Sequence, residues 1–214
     1  MVEETKVFLS SLNLKGTVTK VQGPIAPTLL KHAPKRDGLV VMGSRGLDAL
    51  DRFMLGSVST RVTLHAPCSV LVVKHRARPL RRILLATDGS KFSEKALHFL
   101  STKLRAEGWN ATGGAPPEVT VVHVMAYLKD PQIKDTAGKL VQRCGATLQE
   151  AGYVVDEICR LGNPADEILN VASERHVDLI VTGAKGLGAI ARFLLGSVST
   201  RIVQHSSCSV LVVR

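Results

Sequence analysis

The chain has 214 residues, room for one large or two small domains, and its 45% apolar content is that of a globular protein rather than a disordered or fibrous one. Apolar runs such as residues 70–73 and 180–181 fall far short of the roughly 20 residues that cross a bilayer, so no membrane helix is expected. The formal net charge of +10 favours an anionic partner without choosing among nucleotide, nucleic acid and membrane surface. The first residues, Met1-Val2-Glu3-Glu4-Thr5-Lys6, open acidic and lead into no apolar stretch, which makes the cytoplasm the expected compartment. Cys68, Cys144, Cys159 and Cys208 form no CxxC pair and have no histidines at metal-ligand spacing. Cys68 and Cys208 each open a Cys-Ser-Val-Leu-Val-Val strand, where a free thiol serves as a small buried hydrophobe.

The chain repeats itself. Residues 43–73 align without a gap to residues 183–213, with 20 of 31 positions identical at an offset of 140. The match persists upstream in Pro24 with Pro164, Leu29 with Leu169 and Val41 with Val181, so the duplicated unit is larger than one loop. A period of 140 makes residues 1–74 the back half of a first copy, without counterparts of the first strand, first helix and second strand. A truncated polypeptide would read the same way. The expected organisation is a partial domain over 1–74, a basic linker over 75–82 and a complete domain over 83–214. The linker, His75-Arg76-Ala77-Arg78-Pro79-Leu80-Arg81-Arg82, reads first as a solvated connection and second as an arm for nucleic acid.

The second copy alternates strands and helices. Residues 83–86 form a short buried strand; Ser90 or Ser93 then caps a helix over about 94–107 with Ala96, Leu97, Leu100 and Leu104 on one face. After a loop over 108–117 come a strand at 119–125, a helix at 136–151 ended by Gly152, and a strand at 153–160. Asn163 and Pro164 start a helix that runs to about 176, with Asp166 and Glu167 suited to its positive end. A strand at 177–182, a helix at 197–205 and a strand at 208–213 complete the copy. Continuous apolar strands separated by helices predict a parallel sheet covered on both faces, an α/β doubly wound fold.

In such sheets ligands bind beyond the carboxyl ends of the strands, where the strand order reverses. Two segments fall there: Ala86-Thr87-Asp88-Gly89-Ser90 after the first strand, and Gly183-Ala184-Lys185-Gly186-Leu187-Gly188 after the fourth, followed by Gly196-Ser197 at a helix start. Residues without Cβ let backbone N–H groups approach phosphate oxygens, and a helix N-terminus adds open donors and partial positive charge. Ser197 and Ser199 add hydroxyl donors. The plain alternative is that Gly183 and Gly186 make a tight turn and Ser197 caps a helix.

The spacing Gly183-x2-Gly186-x9-Gly196-Ser197, repeated as Gly43-x2-Gly46-x9-Gly56-Ser57, resembles the phosphate signature G-2x-G-9x-G-[ST] of ATP-binding universal stress proteins. The resemblance extends over the whole second copy, including residues 83–90, His123-Val124-Met125 and the terminal strand. It implies an adenine nucleotide alpha hydrolase-like sheet of strand order 3-2-1-4-5. It implies ATP as bound ligand, with Mg²⁺ as an allowed companion. Ala86, Thr87, Asp88, Val124, Thr182, Gly183, Lys185, Gly186, Gly196, Ser197, Val198 and Ser199 then form the site, with Asp88 on the ribose hydroxyls, the Val124 backbone on adenine, and Gly183, Gly186, Gly196, Ser197 and Ser199 on the phosphates. Asp88 also reads as a turn carboxylate, and Lys185 as an exposed loop cation.

The first copy keeps the glycine loop but has no counterpart of Asp88 or Val124, so one working pocket is expected rather than two. Its third strand loses its normal neighbours and must leave a gap or move beside the fourth. Family members dimerise through their fifth strands, which implies pairing of residues 68–73 with 208–213 inside one chain, or a homo-oligomer. No Walker A sequence, complete GxGxxG, HExxH or GxSxG occurs, so no catalytic residues are assigned. The resemblance permits slow ATP hydrolysis or autophosphorylation. The competing functions are a nucleotide-independent interaction module of the same fold and, ranked last, a nucleic-acid binder, for which 4% aromatic residues supply few stacking platforms.

Overall fold

The computed structural model describes residues 2–35, 37–44, 55–74, 80–104, 115–126, 131–187 and 195–214. Gly46 of the first glycine loop, residues 75–79 of the linker, residues 108–114 of the expected loop and Gly188 lie outside them. The first copy contributes α1 (Val2–Ser11), α2 (Ile25–His32), β1 (Leu39–Gly43), α3 (Ser57–His65) and β2 (Ser69–Val73). The second contributes β3 (Arg82–Ala86), α4 (Lys91–Lys103), β4 (Glu118–Met125), α5 (Pro131–Glu150), β5 (Val154–Leu161), α6 (Pro164–Glu174), β6 (Leu179–Gly183), α7 (Ser197–His205) and β7 (Ser209–Val213).

All seven strands join one sheet in the order β1-β2-β7-β6-β3-β4-β5, parallel throughout except at the β2–β7 seam. Within the second copy this is the order 3-2-1-4-5. At the seam Val70, Leu71 and Val72 face Val212, Leu211 and Val210 antiparallel, so the fifth strands of the two copies pair within the chain. Apolar strands buried on both faces explain the sequence pattern: Ile83, Leu84 and Leu85 are each fully buried although consecutive, because alternate side chains enter opposite layers. Leu84, Ile180 and Val210 pack with α6 and α7 on one face. Ile83, Leu85 and Val181 pack with Ala96, Leu97 and Leu100 of α4 and Val141, Cys144 and Leu148 of α5 on the other.

Local signals place the helix ends. Ser90 caps α4 by accepting from Ser93 N at 3.3 Å, and α4 starts at Lys91, three residues before the expected Glu94. Asn163 Oδ1 accepts from Ala165 N and Asp166 N ahead of Pro164. Gly152, at φ 90, turns the chain out of α5, while His176 takes the left-handed region at φ 51 without the glycine that usually occupies it. Gly196, not Ser197, is the N-cap of α7.

The third strand expected in the first copy is not formed: residues 14–22 hold no strand, and β1 ends the sheet on that side. The strand it would pair with, the counterpart of β4, has no equivalent in residues 1–74, and backbone pairing needs a neighbour. By the 140-residue offset, α1 is the counterpart of the second half of α5. Where α5 buries Cys144 and Leu148, α1 buries nothing.

The seam carries one further device. Arg214 Nη2 donates to Thr63 O at 2.6 Å and to Leu64 O at 3.3 Å, at the carboxyl end of α3. Its repeat counterpart Lys74 donates to Ser206 O at 2.5 Å, just past α7. Each copy thus sets a cation on the negative helix end of the other.

Candidate functional site

Strand β3 pairs with β4 on one side and β6 on the other, and the chain passes from β3 to β4 but returns to β3 through β6. The reversal leaves a crevice past Ala86 and Gly183. A cavity of about 1110 Å³ opens there. All twelve residues expected from the sequence line it: Ala86, Thr87, Asp88, Val124, Thr182, Gly183, Lys185, Gly186, Gly196, Ser197, Val198 and Ser199.

The turn after β3 is held from several directions. Thr87 N donates to Val122 O at 2.9 Å, closing the β3–β4 ladder, and the Thr87 carbonyl meets His123 Nδ1 at 2.9 Å. Val124 lies two residues beyond that closure, where β4 continues past β3. Asp88 Oδ1 accepts from Ser90 N at 3.0 Å, and Gly89 takes φ 75, open to glycine. Asp88 Oδ2 accepts from Leu187 N at 3.0 Å, tying the β3 turn to the glycine loop, and the Ser90 hydroxyl donates to Lys185 O at 3.3 Å.

This contact assigns Gly186 a second reason to be glycine. A Cβ there would lie 2.5 Å from Asp88 Oδ2, so the bare backbone is what lets the carboxylate approach the loop. At Gly183 a Cβ would lie 2.5 Å from the backbone carbon of Phe92, because α4 starts against the end of β6.

At the other wall α7 begins without a side-chain cap. Gly196 N donates to Ala184 O and Thr200 N to Gly196 O, which leaves the N–H groups of Ser197, Val198 and Ser199 as the first-turn donors that no intrahelical carbonyl can satisfy. Ser197 is exposed at the first helical position. Ser199 departs from its expected role as a hydroxyl donor to a ligand. It is buried, and its hydroxyl donates to Gly183 O at 2.7 Å, bracing the loop from behind. Its backbone N–H remains in the first turn.

Sequence reasoning missed Ser93, Ala126, Pro164, Ile168, Leu187 and Leu195 among the lining residues. Pro164 and Ile168 carry a signal in retrospect: α6 starts at the carboxyl end of β5 and so borders the same crevice. Arg201 also lines the cavity and is paired with Asp166 at 2.8 Å. Beneath the site, burial pushes the Cys144 thiol up, opposed by a hydrogen bond with Thr87. A second, smaller cleft at the opposite ends of the strands has its charges already paired, Arg175 with Asp156 at 2.8 Å and Arg82 with Glu118 at 4.0 Å.

The first copy repeats half of this arrangement. Ser59 Oγ donates to Gly43 O at 2.8 Å, Gly56 N to Ser44 O at 2.9 Å, and Gly56 starts α3 uncapped.

The family model for the universal stress protein family matches residues 12–74 and 79–214. The chain belongs to that family. Universal stress protein YxiE of Bacillus subtilis is 34% identical over 145 residues, 62% of this chain and 98% of that protein. A universal stress protein of Mycolicibacterium smegmatis is 32% identical over 206 residues, and the match spans 89% of this chain but only 66% of that longer relative. The crystal structure of a universal stress protein from Archaeoglobus fulgidus shares the fold at a TM-score of 0.70 and 24% identity, covering 100% of this chain and 74% of that one. Among the described residues no helix is long and apolar enough to cross a membrane.

Proposed function

We propose that this universal stress protein binds an adenine nucleotide, ATP foremost, in its second copy, and serves as a stress-response or signalling module of the cytoplasm rather than as a robust catalyst. One observation carries the reading: the Asp88 carboxylate, the glycine loop and the uncapped start of α7 line one cavity at the strand reversal. The carboxylate suits ribose hydroxyls, and the N–H groups of Ser197, Val198 and Ser199 suit phosphate oxygens at the positive end of a helix. Val124, past the β3–β4 closure, offers backbone groups to adenine.

Among the described residues no three acidic, histidine or cysteine side chains gather into a cation site, so the donor set does not fit a metal held by the protein alone. Mg²⁺ would enter on the triphosphate, whose oxygens supply the ligands this chain does not. Occupancy would replace the Asp88 to Leu187 contact with ligand contacts, so nucleotide can bias the glycine loop and the surface around it.

Mass spectrometry of nucleotide released from the purified protein tests the reading, together with calorimetric titration of ATP into the wild type and Asp88→Ala. An adenine nucleotide in the released fraction and at least tenfold weaker binding by the variant are expected, because a hydrogen bond to a charged group contributes about 1.5–3 kcal/mol. Unchanged affinity removes Asp88 from the site.

A further inference from the structure

Arg201 lines the cavity at the strand reversal together with Ser197, Gln204 and His205. At steps of four, seven and eight residues from Ser197, the other three share one face of α7 with it. Side chains on a helix lean toward its N-terminus, so Arg201 reaches back over the turn that begins at Ser197, where the first-turn N–H groups are open. Its guanidinium pairs with Asp166 Oδ1 at 2.8 Å, and both side chains are half exposed. Asp166 stands at the third helical position of α6.

The ion pair does not account for the arginine. A half-exposed pair is screened by solvent and contributes little to folding, and the positive end of α6 already stabilises the Asp166 carboxylate. The repeat separates the two partners. The first copy keeps the arginine as Arg61, after Gly56-Ser57-Val58-Ser59-Thr60, just as Arg201 follows Gly196-Ser197-Val198-Ser199-Thr200. Helix α2, Ile25-Ala26-Pro27-Thr28-Leu29-Leu30-Lys31-His32, holds no acidic residue to pair with it. The arginine therefore accompanies the helix start after the glycine loop, not the carboxylate. Among the described residues that line the cavity the permanent cations are Lys185, on the loop ahead of α7, and Arg201. A helix start supplies only about half a positive charge, much less than a triphosphate needs.

We propose, on the adenine-nucleotide reading of the site, that Arg201 is the specificity residue that selects a triphosphate over a monophosphate, its guanidinium exchanging the Asp166 carboxylate for the terminal phosphate. With ribose on Asp88, a monophosphate ends at the glycine loop and the start of α7. A longer chain has to extend past them, and Arg201, one turn further along the lining face of α7, is the donor it meets. A phosphate is a more highly charged acceptor than a carboxylate and matches the planar fork of the guanidinium, so the exchange favours the nucleotide. The released Asp166 stays solvated at the positive end of α6. In the empty site Asp166 is thus a competitor for Arg201.

Calorimetric titration of ATP and of AMP into the full chain and its variants is the test. The wild type is expected to prefer ATP to AMP by about tenfold or more, and Arg201→Met to weaken ATP by about tenfold or more while moving AMP less than about twofold. Arg201→Lys keeps the charge without the fork and should retain part of the preference. Asp166→Asn removes the competitor and should tighten ATP by about twofold or more with AMP unchanged. Urea unfolding should leave all three variants at the wild-type midpoint, because the pair is half exposed. Equal weakening of ATP and AMP by Arg201→Met, an ATP affinity that Arg201→Met does not move, or a wild type that binds ATP and AMP alike would each overturn the proposal and leave the nucleotide site standing. A wild type that binds no adenine nucleotide would overturn both.

Discussion

Substituting alanine at Gly186 and at Gly183 separates the glycine that shapes the ligand site from the one that shapes the fold. At Gly186 the new Cβ would sit 2.5 Å from Asp88 Oδ2, the free end of a side chain, which can swing away. The cost to folding is the lost Leu187 N to Asp88 bond at 3.0 Å, about 1 kcal/mol at so exposed a loop, offset by about 0.4–1 kcal/mol from a less flexible unfolded chain. Stability of Gly186→Ala should stay within about 1 kcal/mol of wild type, while the displaced carboxylate weakens ATP binding about tenfold or more. At Gly183 the Cβ would meet the Phe92 carbon at 2.5 Å, Phe92 O at 2.7 Å and Ser93 N at 2.8 Å, all backbone of α4, which cannot yield alone. Gly183→Ala should lose about 1–3 kcal/mol or more of stability. Urea unfolding and ATP calorimetry on both variants, repeated in an Asp88→Ala background, decide the matter. With Asp88 removed, Gly186→Ala should cost no further affinity. Equal loss in both backgrounds would refute the idea that Gly186 acts by admitting Asp88.

Three more outcomes follow from the same contacts. Arg214→Met removes the cation from the end of α3 and should lower stability by about 1–2 kcal/mol in urea unfolding; an unchanged midpoint would mean the crossed helix caps contribute nothing. Leu85→Ala, at a fully buried position, should cost about 2–5 kcal/mol, whereas Val154→Ala at a 62% exposed edge position should stay within about 0.5 kcal/mol. Burial holds the Cys68, Cys144 and Cys208 thiols above their ordinary range, so the folded state keeps protons that the unfolded state releases near pH about 8.5. Stability should therefore be flat at neutral pH and fall as pH rises past about 8.5, and Cys144→Ala should flatten that fall; a pH-independent midpoint up to pH about 10 would contradict the burial argument.

Much of this was legible because the relevant signals are local. The aliphatic run at Ile83, Leu84 and Leu85, the Asn163-Pro164 helix start and the Gly152 stop are each fixed by residues within a few positions, where steric and capping rules act. The repeat exposed the glycine loop twice, and the places of Gly183 and Asp88 just past strand ends, read with the family resemblance, pointed to both sides of the crevice. Less legible were groups whose role depends on what faces them. Ser199 looks like a donor to ligand in sequence, and only the position of Gly183 O turns its hydroxyl inward. Ser197 looks like a cap, but the turn of the chain gives that place to Gly196.

The sequence by itself determined the two copies and the order of strands and helices in the second, because periodicity and turn chemistry are properties of short segments and their order, and its family resemblance named the residues that gather at the strand reversal. The tertiary structure alone decided that residues 14–22 form no strand, that Arg214 and Lys74 cap each other's helices across the seam, and that Leu39 and Val41 stand open where Leu179 and Val181 are buried. A strand needs a neighbour and an apolar face needs a cover. Neither is a property of the residues that make it, so the same amino acids bury or expose themselves according to what is brought beside them.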